Sequence, residues 1–186
     1  MAFFTQKGVI KMSDFSEIRP AAFDGAFGKI GEQWMLISVR GKDEKGRVAD
    51  NTMTASWGGL GVLWNFPVVF CFVRKSRYTL PLMKSAPGFS LSFLPEAYRD
   101  SLRLCGRISG RDTDKFAAAE LTKKEENDIP YIEEADEVVF CQKLYEGHLE
   151  KEGFCLPELL KNYPGDDFHD IFVGRITKVL KRNDLL

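Results

Sequence analysis

The sequence predicts a mainly β protein, a closed or nearly closed antiparallel barrel with a few peripheral helices. Three observations carry that prediction. About six stretches read as strands, by alternation or by density in β-branched and aromatic residues. They follow one another through hairpin-length or single-helix connections. Strands and helices do not alternate, and no G-x-G-x-x-G follows the first strand, which disfavours a doubly wound parallel sheet. The "GGLG" at 58–61 only imitates that fingerprint, since no helical pattern stands behind it.

Taken in order, residues 1–28 form a poorly periodic N-terminal lead-in, and residues 29–186 a single domain. Met12 is an alternative natural start. "EQWMLISVRG" alternates, with Met35, Ile37 and Val39 on one face and Trp34, Leu36 and Ser38 on the other. "GKDEKGR" is a charged, glycine-bounded turn, after which "VADNTMTASW" returns antiparallel. "GGLGV" reads as a flexible corner and "FPVVFCFVR" as a buried strand. "SRYTLPLMKSAP" predicts a short helix interrupted by Pro81 and closed by Pro87, and "GFSLSFL" a further strand. A helix follows Pro95, with Tyr98, Leu102 and Cys105 at helical spacing. "DTDKFAAAELTKKEEND" predicts a second helix carrying Phe116, Ala119 and Leu121, capped by Asp112 or Thr113. Strands over 137–145 and in "FHDIFVGRITKVLKR" close the chain.

The composition excludes several classes. A net charge of -1 gives no bulk attraction to nucleic acid or anionic lipid. The greasiest run, residues 58–73, contains Asn65 and Pro67 and is shorter than the ~20 apolar residues of a membrane helix. The four cysteines lack C-x-x-C spacing and there are two histidines, so no metal site is expected. Cys71 and Cys141 fall in apolar runs as small hydrophobes, which suits a reducing, cytoplasmic setting. No Ser/His/Asp or Cys/His constellation offers a protein nucleophile.

Two polar clusters stand out. Thr54 and Ser56 alternate on one strand and point to the same side. Arg74, Ser76, Arg77, Tyr78 and Thr79 follow the end of a later strand. Hydroxyls, backbone N–H groups and guanidinium together suit a phosphate dianion. If Ala55 and Phe70 lie on neighbouring strands, both clusters meet on one rim, where Met53, Ala55 and Trp57 add apolar surface for an aromatic ligand body. By type alone the same residues also suit an ordinary strand and a solvated strand end.

The blocks "WMLISV", "NTMTASWGGLGVLWNFPVVFCFVRKSRYT", "SGRDTDKF" and "FHDIFVGRI" resemble, in this order, the flavin reductase-like family of flavoproteins, its flavoredoxin-type subgroup in particular. The resemblance runs from about Asn51 to Gly174, with Trp34 also fitting. It implies an FMN-binding split β-barrel, usually a homodimer. It implies that Asn51, Thr52, Met53, Thr54, Ala55, Ser56 and Trp57 run along the isoalloxazine and ribityl chain, and that Arg74, Ser76, Arg77, Tyr78 and Thr79 hold the phosphate. His169 then lies near flavin and nicotinamide; read without the resemblance it is a surface histidine between Asp167 and Asp170.

Residues 109–115 read as a helix start with Arg111 and Lys115 solvated, or as a cofactor or dimer contact. His148 reads as solvated, and Trp34, Trp57 and Trp64 as core, with Trp57 the best exception. The implied activity is hydride transfer from NADH or NADPH to the N5 of FMN, or of FAD. Two alternatives are an FMN-bound electron carrier reduced by a protein partner, and a binding module that has lost its flavin.

Overall fold

The computed structural model describes residues 15–19 and 27–185. Met12 and Pro20 lie outside the described residues. Eight antiparallel strands form the main sheet: β1 (Phe15–Ile18), β2 (Met35–Lys42), β3 (Val48–Ala55), β4 (Gly58–Leu63), β5 (Phe66–Arg74), β6 (Gly88–Phe93), β9 (Glu137–His148) and β10 (His169–Arg182). β7 (Lys123–Glu126) and β8 (Ile129–Ile132) make a separate hairpin. The α-helices among the described residues are α1 (Thr79–Ser85), α2 (Arg99–Arg107) and the single turn α3 (Lys115–Ala118).

The order β3-β2-β6-β9-β10-β5-β4 puts β3 and β4 at opposite edges of the sheet, with β1 added beside β10. The chain nevertheless passes from β3 to β4 through just Ser56 and Trp57. The sheet is therefore rolled until its two edges stand side by side, tied by the chain but not by a ladder. The barrel is split along that seam. Its long strand β10 pairs with β5 near its start and with β1 near its end, switching partners around register shifts at Val173/Gly174 and Ile176/Lys178.

Alternation decides what each strand buries. Met35, Ile37 and Val39 enter the barrel interior with Met53, Cys71, Phe89, Leu91 and Phe172. Leu36 points the other way, into a second cluster with Leu102, Cys105, Phe116 and Ile132. β2 is thus buried on both faces, and Leu36 and Ile37 are each fully enclosed. Each such side chain contributes roughly 1.5–3 kcal/mol by burial. Cys71 and Cys141 are buried free thiols, and burial pushes the Cys71 thiol up to about 12. No helix among the described residues is long and apolar enough to cross a membrane.

Four expectations need correcting. The "GGLGV" corner is the strand β4, in register with β5 from Gly58↔Cys71 to Leu63↔Phe66. Its hairpin turns on Trp64 and Asn65, both at positive φ (51° and 61°), the twist that two-residue hairpins need. The helix expected beyond residue 115 ends after one turn, because Glu120 adopts φ 54° and the chain enters β7. Phe116, Ala119 and Leu121 are still all buried, so one turn and a hairpin satisfy the same apolar spacing. Pro81 does not interrupt α1: it occupies the first turn, where no N–H is required. Ala55 and Phe70 are not on neighbouring strands; Ala55 faces Met35, and Phe70 faces Gly59 and Val173.

Candidate functional site

The seam opens into a cavity of about 190 Å³. Met53, Thr54 and Ala55 line it from β3, Ser56 and Trp57 from the crossing, and Phe72 and Arg74 from β5. Arg77 and His169 complete the wall. The two polar clusters do converge, though through the edge-to-edge seam and not through a β3–β5 ladder.

His169 opens β10 opposite Arg74 in the β5 register. It is 6% exposed, which removes the surface reading. Its Nδ1 lies 3.1 Å from the Tyr163 hydroxyl, and its ring is 5.3 Å from that of Trp57. Burial, reinforced by the Arg74 charge, lowers its pKa to about 4 against the opposing pull of Asp167. The imidazole is neutral at pH 7. Trp57 is 46% exposed and walls the cavity, and Trp64 is 54% exposed on its turn, so neither is core. Trp34 is half-buried, and His148 is exposed as expected.

A second cavity, about 160 Å³, shares Arg74 and Arg77 with the first. Ser76, Tyr78 and Thr79 line it on one side; Arg107, Ser109, Gly110 and Lys115 line it on the other. Lys115 is 4% exposed, which corrects the solvated reading. It begins α3, whose cap is Asp114 and neither Asp112 nor Thr113; the Asp114 carboxylate accepts from the Phe116 and Ala117 N–H groups at 2.9 and 3.3 Å. The Lys115 ammonium donates to the Cys105 carbonyl at 2.8 Å. Burial, with a smaller push from Arg77, lowers its pKa to about 8. Arg77 donates to the Gly106 carbonyl at 2.6 Å. A buried cation held only by a carbonyl is costly, and an anion in the same cavity relieves that cost.

A scan against protein-family models matches residues 27–186 to the flavin reductase like domain. The chain belongs to the flavin reductase-like family. No curated protein matches it. Among solved structures, it is similar to an FMN-binding domain of a flavin reductases-like enzyme from Shewanella baltica, at 16% identity and TM-score 0.66 over 92% of this chain and 79% of that one. It is similar to the flavoredoxin of Desulfovibrio vulgaris, at 24% identity and TM-score 0.61 over 82% and 71%. It is also similar to an NADH:FAD oxidoreductase from Streptomyces globisporus, at 19% identity and TM-score 0.55 over 80% and 75%. The fold described above is the family's split barrel.

Within this flavin reductase-like chain, the residues singled out from sequence take different places. Met53, Thr54, Ala55, Ser56, Trp57, Arg74, Arg77 and His169 surround the first cavity, and Arg74, Ser76, Arg77, Tyr78 and Thr79 the second. Asn51 stands behind Thr79 and donates to its hydroxyl at 2.8 Å. Thr52 lies away from both cavities, fully buried and accepting from Ser38 at 3.0 Å. The Thr54 hydroxyl donates to the Leu102 carbonyl, tying β3 to α2.

Ser76 gives both its N–H (3.0 Å) and its hydroxyl (2.7 Å) to Asp167. Burial raises the Asp167 carboxyl, but those two bonds and the Arg74 charge outweigh it and hold the pKa below the ordinary carboxylate range. Arg74 itself donates to the Asp167 and Asn162 carbonyls at 3.1 and 2.9 Å. The seam-side donors are therefore engaged within the chain, while Arg77, Arg107 and Lys115 line the second cavity with no carboxylate partner among the described residues. Sequence reasoning missed Phe72 and Arg107, and left the role of residues 109–115 open. The "SGRDTDKF" block was the available signal for Gly110 and Lys115. For Arg107 none existed.

Proposed function

We propose that the chain is an NAD(P)H-dependent flavin reductase that binds FMN across the two adjoining cavities. The single observation carrying this reading is their shared wall: Arg74 and Arg77 line both an aromatic-walled cavity and one ringed by cations. The donor set fits a flavin mononucleotide. Met53, Ala55 and Trp57 offer apolar surface for a planar ring. The buried Lys115 ammonium, Arg77 and the Thr79 hydroxyl suit a phosphate. Bound there, the flavin supplies a hydride acceptor at N5 for a reduced nicotinamide.

The residues' own contributions follow from their states. Arg77 is fixed by Gly106 and Thr79 by Asn51, so the phosphate donors are positioned before a ligand arrives. Trp57 and Phe72 flank His169 and make the ring end of the cavity aromatic. His169 is neutral and oriented by Tyr163, so it serves as a hydrogen-bonding wall and not as an imidazolium acid. A second reading, a bound-FMN electron carrier, draws on the likeness to the Desulfovibrio flavoredoxin.

One experiment separates them. Protein reconstituted with FMN is mixed anaerobically with NADH or NADPH, and the visible flavin absorbance is followed. Bleaching within the mixing time supports the reductase. Persistence with both nucleotides, together with reduction by a ferredoxin-type donor, supports the carrier. A chain that takes up no FMN overturns both. At the phosphate end, Arg77→Ala is expected to weaken FMN by roughly 1.5–3 kcal/mol, about 10- to 100-fold, and riboflavin much less. Paired binding titrations read this; equal losses would place Arg77 away from the phosphate.

A further inference from the structure

A third cavity, about 570 Å³, lies along α2 and meets both of the others. It shares Thr54 with the ring-end cavity and Arg107 with the cation-ringed one. Its walls are Trp34, Arg103 and Arg107, with Asp100 at the edge. Arg107 forms no ion pair among the described residues.

Trp34 is placed there at a cost. It stands at φ 69°, a left-handed conformation that a bulky aromatic residue rarely adopts. Arg99 holds it: the guanidinium lies 4.6 Å over the indole and donates to the Glu32 and Gln33 carbonyls, both at 3.0 Å. Trp34 is half-buried: it packs against the cluster around Leu36 and Leu102 and also lines the groove.

We propose that this groove binds the adenosine diphosphate portion of a dinucleotide. The proposal rests on the flavin reading above. The part of the indole that lines the groove, away from the Arg99 guanidinium, offers apolar surface for a purine. Arg107, at the rim common to two cavities, receives a second phosphate next to the one held by Arg77 and Lys115. Arg103 adds positive charge at the exposed lip of the groove, paired at 2.8 Å with Asp100 among the described residues. The same chemistry comes with FAD or with the nicotinamide nucleotide.

The test loads the protein with FMN, which fills the phosphate cavity, and titrates ADP calorimetrically. ADP binds the unvaried protein. Arg103→Glu, which lines neither flavin cavity, weakens ADP by about fivefold or more, as loss of an exposed ion pair allows. Arg103→Lys restores most of it, and FMN affinity stays within about twofold in both variants. Failure of ADP to bind, or equal binding in Arg103→Glu, overturns the proposal. FMN binding by the unvaried chain is read separately, so failure of the flavin reading is seen on its own. Loading with FAD then assigns the source: lost ADP binding gives the groove to the adenosine half of the flavin, and retained binding gives it to the nicotinamide nucleotide.

Discussion

Lys115 carries the most information of any single residue. Its ammonium is buried, bonded to one carbonyl, and depressed to about 8 by burial and Arg77. A phosphate arriving in that cavity favours the charged form, so binding raises this pKa and draws in a proton. Proton uptake on FMN binding is expected near pH 8.5, fading below about 7 where the lysine is already charged. Calorimetry in two buffers of different ionisation enthalpy measures it, and Lys115→Met should abolish it. His169 gives the opposite limb. Its folded pKa of about 4 lies below its ordinary 6.5, so the unfolded chain takes the proton first as pH falls. Stability from this group is complete above 6.5 and is lost between 6.5 and 4, by roughly 3 kcal/mol if the whole difference is expressed. Denaturant midpoints across that window should show the loss in the parent and not in His169→Phe. Thr54 and Arg77 were legible because hydroxyl and guanidinium types at strand ends are recognisable from pattern. Lys115 was not, because a lysine after a cap looks the same in sequence whether solvated or enclosed by α2.

At the scale of elements, the strands read from alternation or from β-branched density are present: β2, β3, β5, β6, β9 and β10. Those missed have a physical cause in common. β4 is half glycine and has no side-chain alternation to read. The β7–β8 hairpin turns on Asn127 and Asp128 at φ 50° and 63°, inside a stretch whose apolar spacing mimics a helix. Local pattern cannot weigh a turn that tertiary packing makes favourable. The loop between α2 and α3 shows how tightly these pieces fit. A Cβ on Gly110 would lie 2.1 Å from Asn51 Oδ1 and 3.0 Å from the Tyr78 ring. Gly110→Ala should therefore displace Asn51 from Thr79, cost about 1–3 kcal/mol of stability, and weaken FMN by about tenfold. Urea unfolding and a flavin titration on the same sample test both parts.

For the whole molecule, the barrel was foreseeable from the count and succession of strands, but its manner of closure was not. Which edges meet depends on the strand order, and no residue-level pattern records that β10 sits between β9 and β5. The candidate site lies where closure is incomplete, so a ligand there would contact the free edge of β3, the Ser56–Trp57 crossing and the end of β5. FMN at 100 times its dissociation constant should stabilise the fold by about 2.7 kcal/mol, seen as a rise in thermal midpoint. Two glycines inserted between Ser56 and Trp57 should lower that midpoint and reduce the ligand-induced rise together.

The two-residue crossing also sets how the mouth can widen. With Ser56 and Trp57 spanning the gap, any wider parting of the two edges requires β3 to peel from β2, or β4 from β5. Admission of a guest bulkier than the cavity should then follow fraying of those outer rungs. Once seated, the guest works as a clasp, and its departure rate should track amide exchange along β4.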